Sequence, residues 1–301
     1  MQVLVTGARG QVGFELLRRA PAGFVVTGMG SSELDITNEE QIREAVARIR
    51  PQLIINAAAY TAVDKAESEP ERAYAINRDG VAHLAKAANE AGIPLLHIST
   101  DYVFAGDADV PYRENDATGP TGIYGASKLA GEQALVDLCA QHLILRTSWV
   151  FGVHGNNFVK TMLRLGRERS ELGVVADQRG CPTSAASIAG ALWRVAAKIR
   201  DEGTAAWGIY HFSGAPACTW HEFAMEIFQQ AHALGMIERQ PLVNAIATRD
   251  YPTPAKRPAW SVMSSQKLQQ TFSIAASDWH HDLLDVLQEL NGPADKVTPE
   301  Q

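Results

Sequence analysis

The sequence predicts an α/β fold: a Rossmann-type, doubly wound parallel sheet with a smaller C-terminal substrate lobe. Two observations support this prediction. Short apolar segments typical of strands alternate with segments of helical periodicity over the first 150 residues, and a glycine-rich turn follows the first apolar segment. Such alternation is typical of a parallel sheet covered by helices on both faces.

The predicted strands are residues 3–6, 24–28, 53–56, 95–99 and 143–147, with a later one at 173–176. A helix is predicted over 38–50, because Thr37 and Glu40 have the spacing of a capping box. A second runs over 70–91 and ends at Gly92, and a third begins near Tyr124 and ends near residue 138. We expect residues 1–150 to form the dinucleotide-binding domain, with later segments returning to it. Residues 151–291 would be mainly the substrate lobe, and 292–301 a frayed polar tail.

The glycine-rich turn is GARGQVG, residues 7–13, between the first strand and a helix. Gly7 would allow the tight turn, Gly10 the approach of a pyrophosphate, and Gly13 close packing of helix on strand. Gln11 and Val12 open the helix, whose unpaired N–H groups attract phosphate oxygens. The spacing is GxxGxxG rather than GxGxxG, and an ordinary strand-to-helix turn is the alternative. We predict a dinucleotide site.

Tyr124 and Lys128, in the segment YGASK, have the i, i+4 spacing that places two side chains on one helix face. A lysine ammonium beside a phenol favours the phenolate and lowers the tyrosine pKa, which makes the phenol a useful acid at neutral pH. The alternative is a half-buried aromatic with a solvated neighbour. Together with the glycine loop, the pair predicts a proton donor for a carbonyl substrate.

The composition is that of a soluble enzyme, with 46% hydrophobic and 20% charged residues in a chain of 301. A net charge of -7 and a pI near 5.7 argue against nucleic-acid binding. No segment has the length of a membrane span or the pattern of a secretion signal, so we expect a cytoplasmic protein without a membrane partner. Three scattered cysteines and nine histidines show no metal-binding spacing, and we expect no catalytic metal.

Over most of its length the sequence resembles the extended short-chain dehydrogenase/reductases, most closely those that reduce a dTDP-linked keto sugar. The matching motifs are VTGARGQVG (5–13), LDIT (34–37), NAAAYTAVDKAE (56–67), STDYVFAG (99–106), YGASKLAGE (124–132), RTSWVFG (146–152) and DQRGCPT (177–183). The resemblance implies NAD(P)H-dependent reduction of the 4-keto group of dTDP-6-deoxy-L-lyxo-4-hexulose to dTDP-L-rhamnose. This would be the last step of dTDP-rhamnose biosynthesis.

Three catalytic roles follow from the resemblance and from the chemistry of the side chains. Tyr124 would donate a proton to the developing alkoxide. Lys128 would lower the tyrosine pKa and bind the nicotinamide ribose. Thr100 would polarise the carbonyl, since it ends a strand and ligands of open α/β sheets lie beyond the carboxyl ends of strands.

The resemblance also assigns residues along the cofactor. These are Asp35 and Ile36 at the adenine, and Ala58, Ala59 and Tyr60 along the dinucleotide. Residues 28–32, after the second strand, contain no acid that would grip the adenosine ribose and repel a 2′-phosphate, so NADPH is allowed. The choice between NADPH and NADH stays open, although Arg9 could reach a 2′-phosphate.

Asp101 and Tyr102 narrow the reaction class. Related sugar-nucleotide dehydratases carry an Asp-Glu pair after the threonine, whereas this chain has Tyr102 in the second place. One carboxylate cannot carry out a two-proton elimination, so a simple reduction fits better. Asp101 would bind a sugar hydroxyl or cap its loop.

Other substrate contacts rest on the resemblance alone. It places Val63, Trp149, Gln178, Pro182 and Thr183 around the sugar and nucleotide. Arg257 could pair with the diphosphate or belong to a plain surface loop. Trp149 is expected to face the ligand, with packing in the core as the alternative.

Two other functions stay open. One is a non-catalytic subunit like the regulatory subunit of methionine adenosyltransferase, a relative of these reductases. The other is an epimerase or dehydratase that retains its NAD⁺. The resemblance also implies, for some members, a homodimer with Mg²⁺ at the subunit contact, although the sequence shows no acidic cluster assignable to it.

Overall fold

The computed structural model describes residues 1–292 as alternating strands and helices. The strands are β1 Gln2–Thr6, β2 Val25–Met29, β3 Leu53–Asn56, β4 Leu95–Thr100, β5 His142–Thr147, β6 Val150–Phe151, β7 Glu171–Val175, β8 Arg179–Gly180, β9 Thr183–Ser184, β10 Gly208–His211, β11 Gly214–Ala215, β12 Cys218–Thr219, β13 Leu242–Ile246 and β14 Ser277–Asp278. The α-helices are α1 Gln11–Arg18, α2 Glu39–Ile49, α3 Val63–Ala66, α4 Pro70–Tyr74, α5 Gly80–Ala91, α6 Ile123–Leu138, α7 Phe158–Glu168, α8 Ala185–Glu202, α9 Trp220–Ala233, α10 Gln266–Phe272 and α11 Trp279–Asn291. Apart from Gly292, the predicted polar tail lies outside the described residues.

Six strands form the central sheet, in the order β10-β5-β4-β3-β1-β2, and all neighbours are parallel. The chain leaves β1 in one direction for β2 and returns on the other side for β3, so the strand order reverses between β1 and β3. Open α/β sheets bind ligands at such a reversal, outside the carboxyl ends of the strands. The Rossmann-type prediction is confirmed. A site is expected outside the carboxyl ends of the strands, near the reversal between β1 and β3.

The predicted strand at 173–176 overlaps β7, which pairs in parallel with β13 in a separate two-stranded sheet. The sixth strand of the central sheet is β10, which comes from the C-terminal half of the chain and pairs with β5. β10 has only four residues and lies at the sheet edge, so it lacks the longer apolar run that marks an inner strand.

Helix starts depend on single polar side chains. The N-cap of α2 is Asn38, whose side chain accepts a hydrogen bond from the Gln41 N–H at 3.1 Å. The predicted cap, Thr37, instead donates to the Asp35 carboxylate at 2.8 Å, so that prediction was wrong by one residue. The helix predicted over 70–91 is interrupted by a π turn at Ala75–Asp79 and ends, as expected, at a left-handed Gly92.

Apolar cores cover both faces of the sheet. On one face, α8 packs against α1, and the Trp193 indole N–H donates to the Leu16 carbonyl at 3.1 Å. The other face is covered by α2, α5 and α6. A third core, which includes Phe151, Phe223 and Trp279, lies in the C-terminal part. Since α8 and β10 both complete the first part of the fold, residues beyond 150 are essential to it. Within residues 1–292, no helix has the length and apolar character needed to cross a membrane.

Candidate active site

The glycine loop is shaped by close backbone contacts. Gly7 has a φ of +69°, and a Cβ there would lie 2.4 Å from the Ala58 nitrogen. A Cβ on Gly13 would lie 2.1 Å from the Gly7 carbonyl oxygen. Both positions therefore require glycine, for the turn and for the packing of α1 on β1. Gly10 is the N-cap of α1 and has no side chain to bond the first N–H groups, which leaves them free for an anion.

The other residues of the loop hold it to its surroundings. Val12 is buried in the core, and the Gln11 side-chain oxygen accepts a hydrogen bond from Asn157 at 3.0 Å. His154 lies 2.9 Å from the Arg9 carbonyl oxygen. The segment after β6 therefore lies against the glycine loop, a contact that sequence patterns did not indicate.

The opposite wall of the crevice follows β3. The Asn56 side-chain oxygen accepts a hydrogen bond from the Ala58 N–H at 3.0 Å, which fixes the turn that carries Ala58 and Ala59. Tyr60 is held by Asn77, which accepts from the Tyr60 N–H at 2.8 Å and donates to its carbonyl at 3.1 Å. The buried side-chain amide of Asn77 thus fixes the backbone of Tyr60, a predicted cofactor-binding residue.

At the adenosine end, Ile36 is buried and Asp35 is exposed on the loop after β2. The absence of an acid in residues 28–32 was an incomplete observation, because Glu33 is the next residue. The Glu33 carboxylate accepts a hydrogen bond from the Gly30 N–H at 2.6 Å and pairs with Arg9 at 3.0 Å. The Gly30 N–H and the Arg9 guanidinium together lower the pKa of this carboxyl.

Thr100 and Tyr124 meet at the carboxyl end of β4. Tyr124 lies in the first turn of α6, which packs so closely on the loop after β4 that a Cβ on Gly125 would lie 2.1 Å from the Tyr102 carbonyl oxygen. The Thr100 hydroxyl lies beside the Tyr124 phenol and donates to Asp101 Oδ1 at 3.0 Å. Gly125, the glycine of YGASK, is therefore required by this close approach.

The pKa of Tyr124 is raised above its ordinary value, chiefly by burial, with smaller contributions from Asp101 and Tyr102, while the nearby Thr100 hydroxyl opposes them. This direction is opposite to the one predicted from the Tyr-Lys spacing. Lys128 is buried, and its Nζ contacts groups other than Tyr124: it lies 2.7 Å from the Ile98 carbonyl oxygen and 3.2 Å from His97 Nε2. Burial lowers the pKa of Lys128 to about 8.

Asp101 is buried next to Thr100 and near Tyr124. Burial raises the pKa of its carboxyl to about 7, against the hydrogen bonds from Thr100 and Ser261. One carboxyl oxygen, Oδ1, accepts from the Thr100 hydroxyl at 3.0 Å, whereas Oδ2 has no partner. A carboxyl with a free oxygen at the site is placed to bind a substrate hydroxyl.

The residues predicted to bind the substrate lie at the same carboxyl ends of the strands, but several of them already contact other residues of the protein. The Tyr102 ring lies edge-on to Tyr124, with ring centroids 5.4 Å apart, and burial raises the pKa of its phenol to about 12. Arg257 lies near Tyr102 and pairs with Asp64, at 2.6 Å. Its charge is therefore shared with a carboxylate next to Val63, which begins α3.

The remaining predicted contacts belong to the loops around β8 and β9. Trp149 adopts a left-handed backbone (φ 47°) and stacks on Trp220 with centroids 3.5 Å apart, so one face of its ring is covered. Gln178 donates to the Thr248 hydroxyl at 3.0 Å. Thr183, which follows Pro182, donates to the Cys181 carbonyl and accepts from the Gly214 N–H. The Thr183 hydroxyl is thus used by the scaffold.

The residues 1–292 contain no group of three or more His, Cys, Asp or Glu side chains that could hold a metal ion. The expected Mg²⁺ therefore has no site within one described chain. A site shared by two copies stays a prediction.

The sheet order, the glycine loop and the helix that carries Tyr124 and Lys128 define a Rossmann-type oxidoreductase of the short-chain dehydrogenase/reductase class. A model of the family described as RmlD substrate binding domain matches residues 1–291, and the chain belongs to that family. The dTDP-4-dehydrorhamnose reductase of Aggregatibacter actinomycetemcomitans is 48% identical over 287 residues, which cover 95% of this chain and 98% of that protein.

Solved structures agree. The chain is similar to a dTDP-4-dehydrorhamnose reductase of Clostridium acetobutylicum, with a TM-score of 0.89 and 38% identity over 97% of this chain and all of that one. It is also similar to the dTDP-4-dehydrorhamnose reductase of Bacillus anthracis in complex with NADP, with a TM-score of 0.88 and 39% identity, covering 96% and 99% of the two chains.

Proposed function

We propose that the protein reduces the 4-keto group of dTDP-4-dehydro-L-rhamnose to give dTDP-L-rhamnose, with NADPH or NADH as the reductant. The observation that carries this proposal is the placement of Thr100 beside Tyr124 at the carboxyl end of β4, together with a glycine loop that requires glycine at Gly7 and Gly13. The family and its reductases support the substrate.

The glycine loop fits a dinucleotide, because the lack of Cβ atoms at Gly7 and Gly13 and the uncapped start of α1 leave room and donors for a pyrophosphate. Gly7, Gly10, Gln11, Val12 and Gly13 would line it. A bound nicotinamide cofactor supplies the hydride. The residues of the chain do the rest of the chemistry.

Tyr124 is the proton donor in this proposal. The phenol is protonated at neutral pH, so a proton is available for the carbonyl oxygen as negative charge develops there, and a positive charge brought beside it would lower its raised pKa towards the range of an effective acid. Thr100, beside the same phenol, would bind that oxygen from the other side. Lys128 would come into play by turning from the Ile98 carbonyl towards Tyr124 and the cofactor.

The substrate contacts follow from the free groups. Asp101 would bind a sugar hydroxyl through its unpartnered Oδ2, and Tyr102 stands where a dehydratase has its second acid. Trp149, which is half-buried, would contact the sugar or the base through the part of its ring that Trp220 leaves uncovered. Arg257 would bind the diphosphate with the donors that Asp64 leaves free, a weaker role than that of an unpaired arginine.

The test is NAD(P)H oxidation by the purified protein with the 4-keto sugar nucleotide generated in situ. We expect one NAD(P)H consumed per dTDP-L-rhamnose formed, and no reaction with dTDP-glucose alone. Release of a 4-keto sugar from dTDP-glucose without added reduced cofactor would assign the chain to the dehydratases. Tightly bound NAD⁺ in the purified protein, together with no net oxidation, would favour an epimerase. A total lack of turnover with intact cofactor binding would favour a regulatory subunit.

The proposed setting is the cytoplasm, where nucleotide sugars are made, and the proposed assembly is a homodimer. Light scattering with and without added Mg²⁺ tests the assembly. A monomer under both conditions would contradict it.

A further inference from the structure

A row of buried polar side chains crosses three neighbouring strands of the sheet. Thr6 lies opposite Asn56 in the β1/β3 register, and Asn56 opposite His97 in the β3/β4 register. None of the three exposes any surface. The Thr6 hydroxyl is 2.7 Å from Asn56 Oδ1, and Asn56 Nδ2 is 3.0 Å from His97 Nδ1. The row ends at Lys128, whose Nζ is 3.2 Å from His97 Nε2.

The direction of these hydrogen bonds is fixed by a backbone group. The Ala58 N–H, which can only donate, points at the same side-chain atom of Asn56 that the Thr6 hydroxyl meets, so this atom must be the amide oxygen. The amide nitrogen therefore faces His97. An amide nitrogen donates and does not accept, so His97 Nδ1 must accept and carries no proton.

The proton of a neutral imidazole then lies on the other nitrogen, Nε2, and points at Lys128. An ammonium has three N–H groups and no lone pair, so a charged Lys128 would set donor against donor at 3.2 Å. A neutral amine accepts from Nε2–H and still donates to the Ile98 carbonyl at 2.7 Å. The geometry therefore matches the amine.

The electrostatic surroundings agree with the geometry. Burial keeps the pKa of His97 well below its ordinary value, so the ring is neutral. Burial also lowers the pKa of Lys128, while Glu132 on the same helix raises it. Glu132 is itself bound by the buried Arg146 of β5 at 2.6 Å, so its negative charge is largely compensated.

We propose that His97 is a positioning residue which, oriented by Asn56 and Thr6, favours the neutral amine of Lys128 over its ammonium. In terms of the proposed function, on which this consequence rests, Lys128 takes up a proton from solvent and leaves His97 before it can assist Tyr124. The row begins at Thr6, the residue before the glycine loop. Hydrogen bonds therefore connect the protonation state of Lys128 to the start of the predicted cofactor-binding loop.

The first test measures the tautomer of His97 in the free wild-type protein by ¹⁵N NMR with labelled histidine, the signal being assigned by its loss in His97→Gln. We expect a neutral ring over the whole range in which the protein is folded near neutral pH, with the proton on Nε2. A proton on Nδ1, or an imidazolium, would overturn the proposal. This measurement needs no variant to be active and no substrate.

The second test follows the pKa of Lys128 by ¹³C NMR of labelled lysine, assigned with Lys128→Arg. In His97→Gln the side-chain oxygen can turn towards the lysine and accept from an ammonium, so the pKa of Lys128 should rise by about one unit, a tenfold change in the protonation constant. His142→Gln is the matched control, because His142 begins β5 at the far end of the sheet. Its lysine signal should titrate as in the wild type.

An unchanged pKa in folded His97→Gln would contradict the proposal. Should that variant not fold, the tautomer measured in the wild type decides alone. Both measurements use the free protein, so a failure of the proposed reductase activity would leave their outcome intact.

Discussion

Arg9 Nη2 lies 3.0 Å from Glu33 Oε1, so an ion pair joins the glycine loop to the loop after β2. Glu33 comes twenty residues after Gly13, close to the position at which dinucleotide-binding folds place an acid for the adenosine ribose. An arginine near that position accommodates a 2′-phosphate. The chain carries both groups, each already bound to the other.

We therefore expect Glu33→Gln to favour NADPH, because it frees Arg9 and removes a charge that repels the 2′-phosphate. Both side chains are exposed, so the ratio of kcat/KM for NADPH over NADH should rise only about five- to tenfold, equivalent to about 1 kcal/mol. Arg9→Met should shift the ratio the other way. Equal ratios in both variants and the wild type would place the 2′-phosphate elsewhere.

Tyr124→Phe removes only the hydroxyl of the proposed proton donor. The variant should keep its fold and cofactor affinity, while kcat falls about 10²–10⁴-fold, the usual contribution of general acid catalysis. Tyr251→Phe, at an exposed tyrosine, is the control and should be as active as the wild type. Turnover of Tyr124→Phe within a few-fold of the wild type would show that another group donates the proton.

Gly13→Ala and Gly190→Ala make the same change on two helices with opposite expected results. The new methyl group at residue 13 would lie 2.1 Å from the Gly7 carbonyl, which cannot move without opening the glycine loop, whereas nothing lies within 4 Å of one at residue 190. Gly13→Ala should lower both the melting temperature and cofactor affinity. Gly190→Ala should raise the stability by about 0.5–1 kcal/mol, since alanine is the better helix former. Thermal unfolding and fluorescence titration measure both. Unchanged cofactor affinity in Gly13→Ala would be inconsistent with this packing.

Asp101→Asn tests the buried carboxyl through the pH dependence of stability. The pKa of this group is raised from 3.8 to about 7 on folding, so the folded state binds the proton more tightly than the unfolded chain. The stability that this proton contributes is complete below about pH 4 and is lost as the pH rises through about 7. The asparagine variant has no carboxyl to ionise and so does not lose this stability. The melting temperature of the variant relative to the wild type should therefore rise as the pH increases from about 4 to about 7. Asp109→Asn, at an exposed carboxyl of the same loop, should show no such gain. A constant difference for Asp101→Asn across the range would mean that the carboxyl ionises as in the unfolded chain.

The parts of the site that the sequence predicted are those carried by local patterns. The turn at Gly7 and Gly13 and the helix of Tyr124 depend on residues within one short segment, and their spacing was readable directly. Thr100 could be placed because it ends an inner strand, and ligands of open α/β sheets lie beyond the carboxyl ends of the strands. Glu33 was within reach of the same reasoning but fell just outside the segment considered.

Other features depend on contacts between distant segments and had no local signal. The alignment of Thr6, Asn56 and His97 arises from the registers of three strands, and a one-residue shift in either pairing would break it. The direction of the Tyr124 pKa shift follows chiefly from the burial of the phenol, which the spacing alone did not determine. β10 was missed because a four-residue edge strand has too little pattern to distinguish it from a loop.

The place of β10 has a consequence for biosynthesis of the chain. A nascent polypeptide that has emerged only as far as β5 must wait for some sixty further residues, up to Gly208–His211, before the open edge of that strand is paired. During the same interval the apolar face later covered by α8 is exposed to solvent. Unpaired edges and uncovered apolar faces are the surfaces through which partly folded chains aggregate. A truncated chain ending near residue 150 should therefore accumulate as insoluble material, and co-expression of the remaining residues should recover part of it.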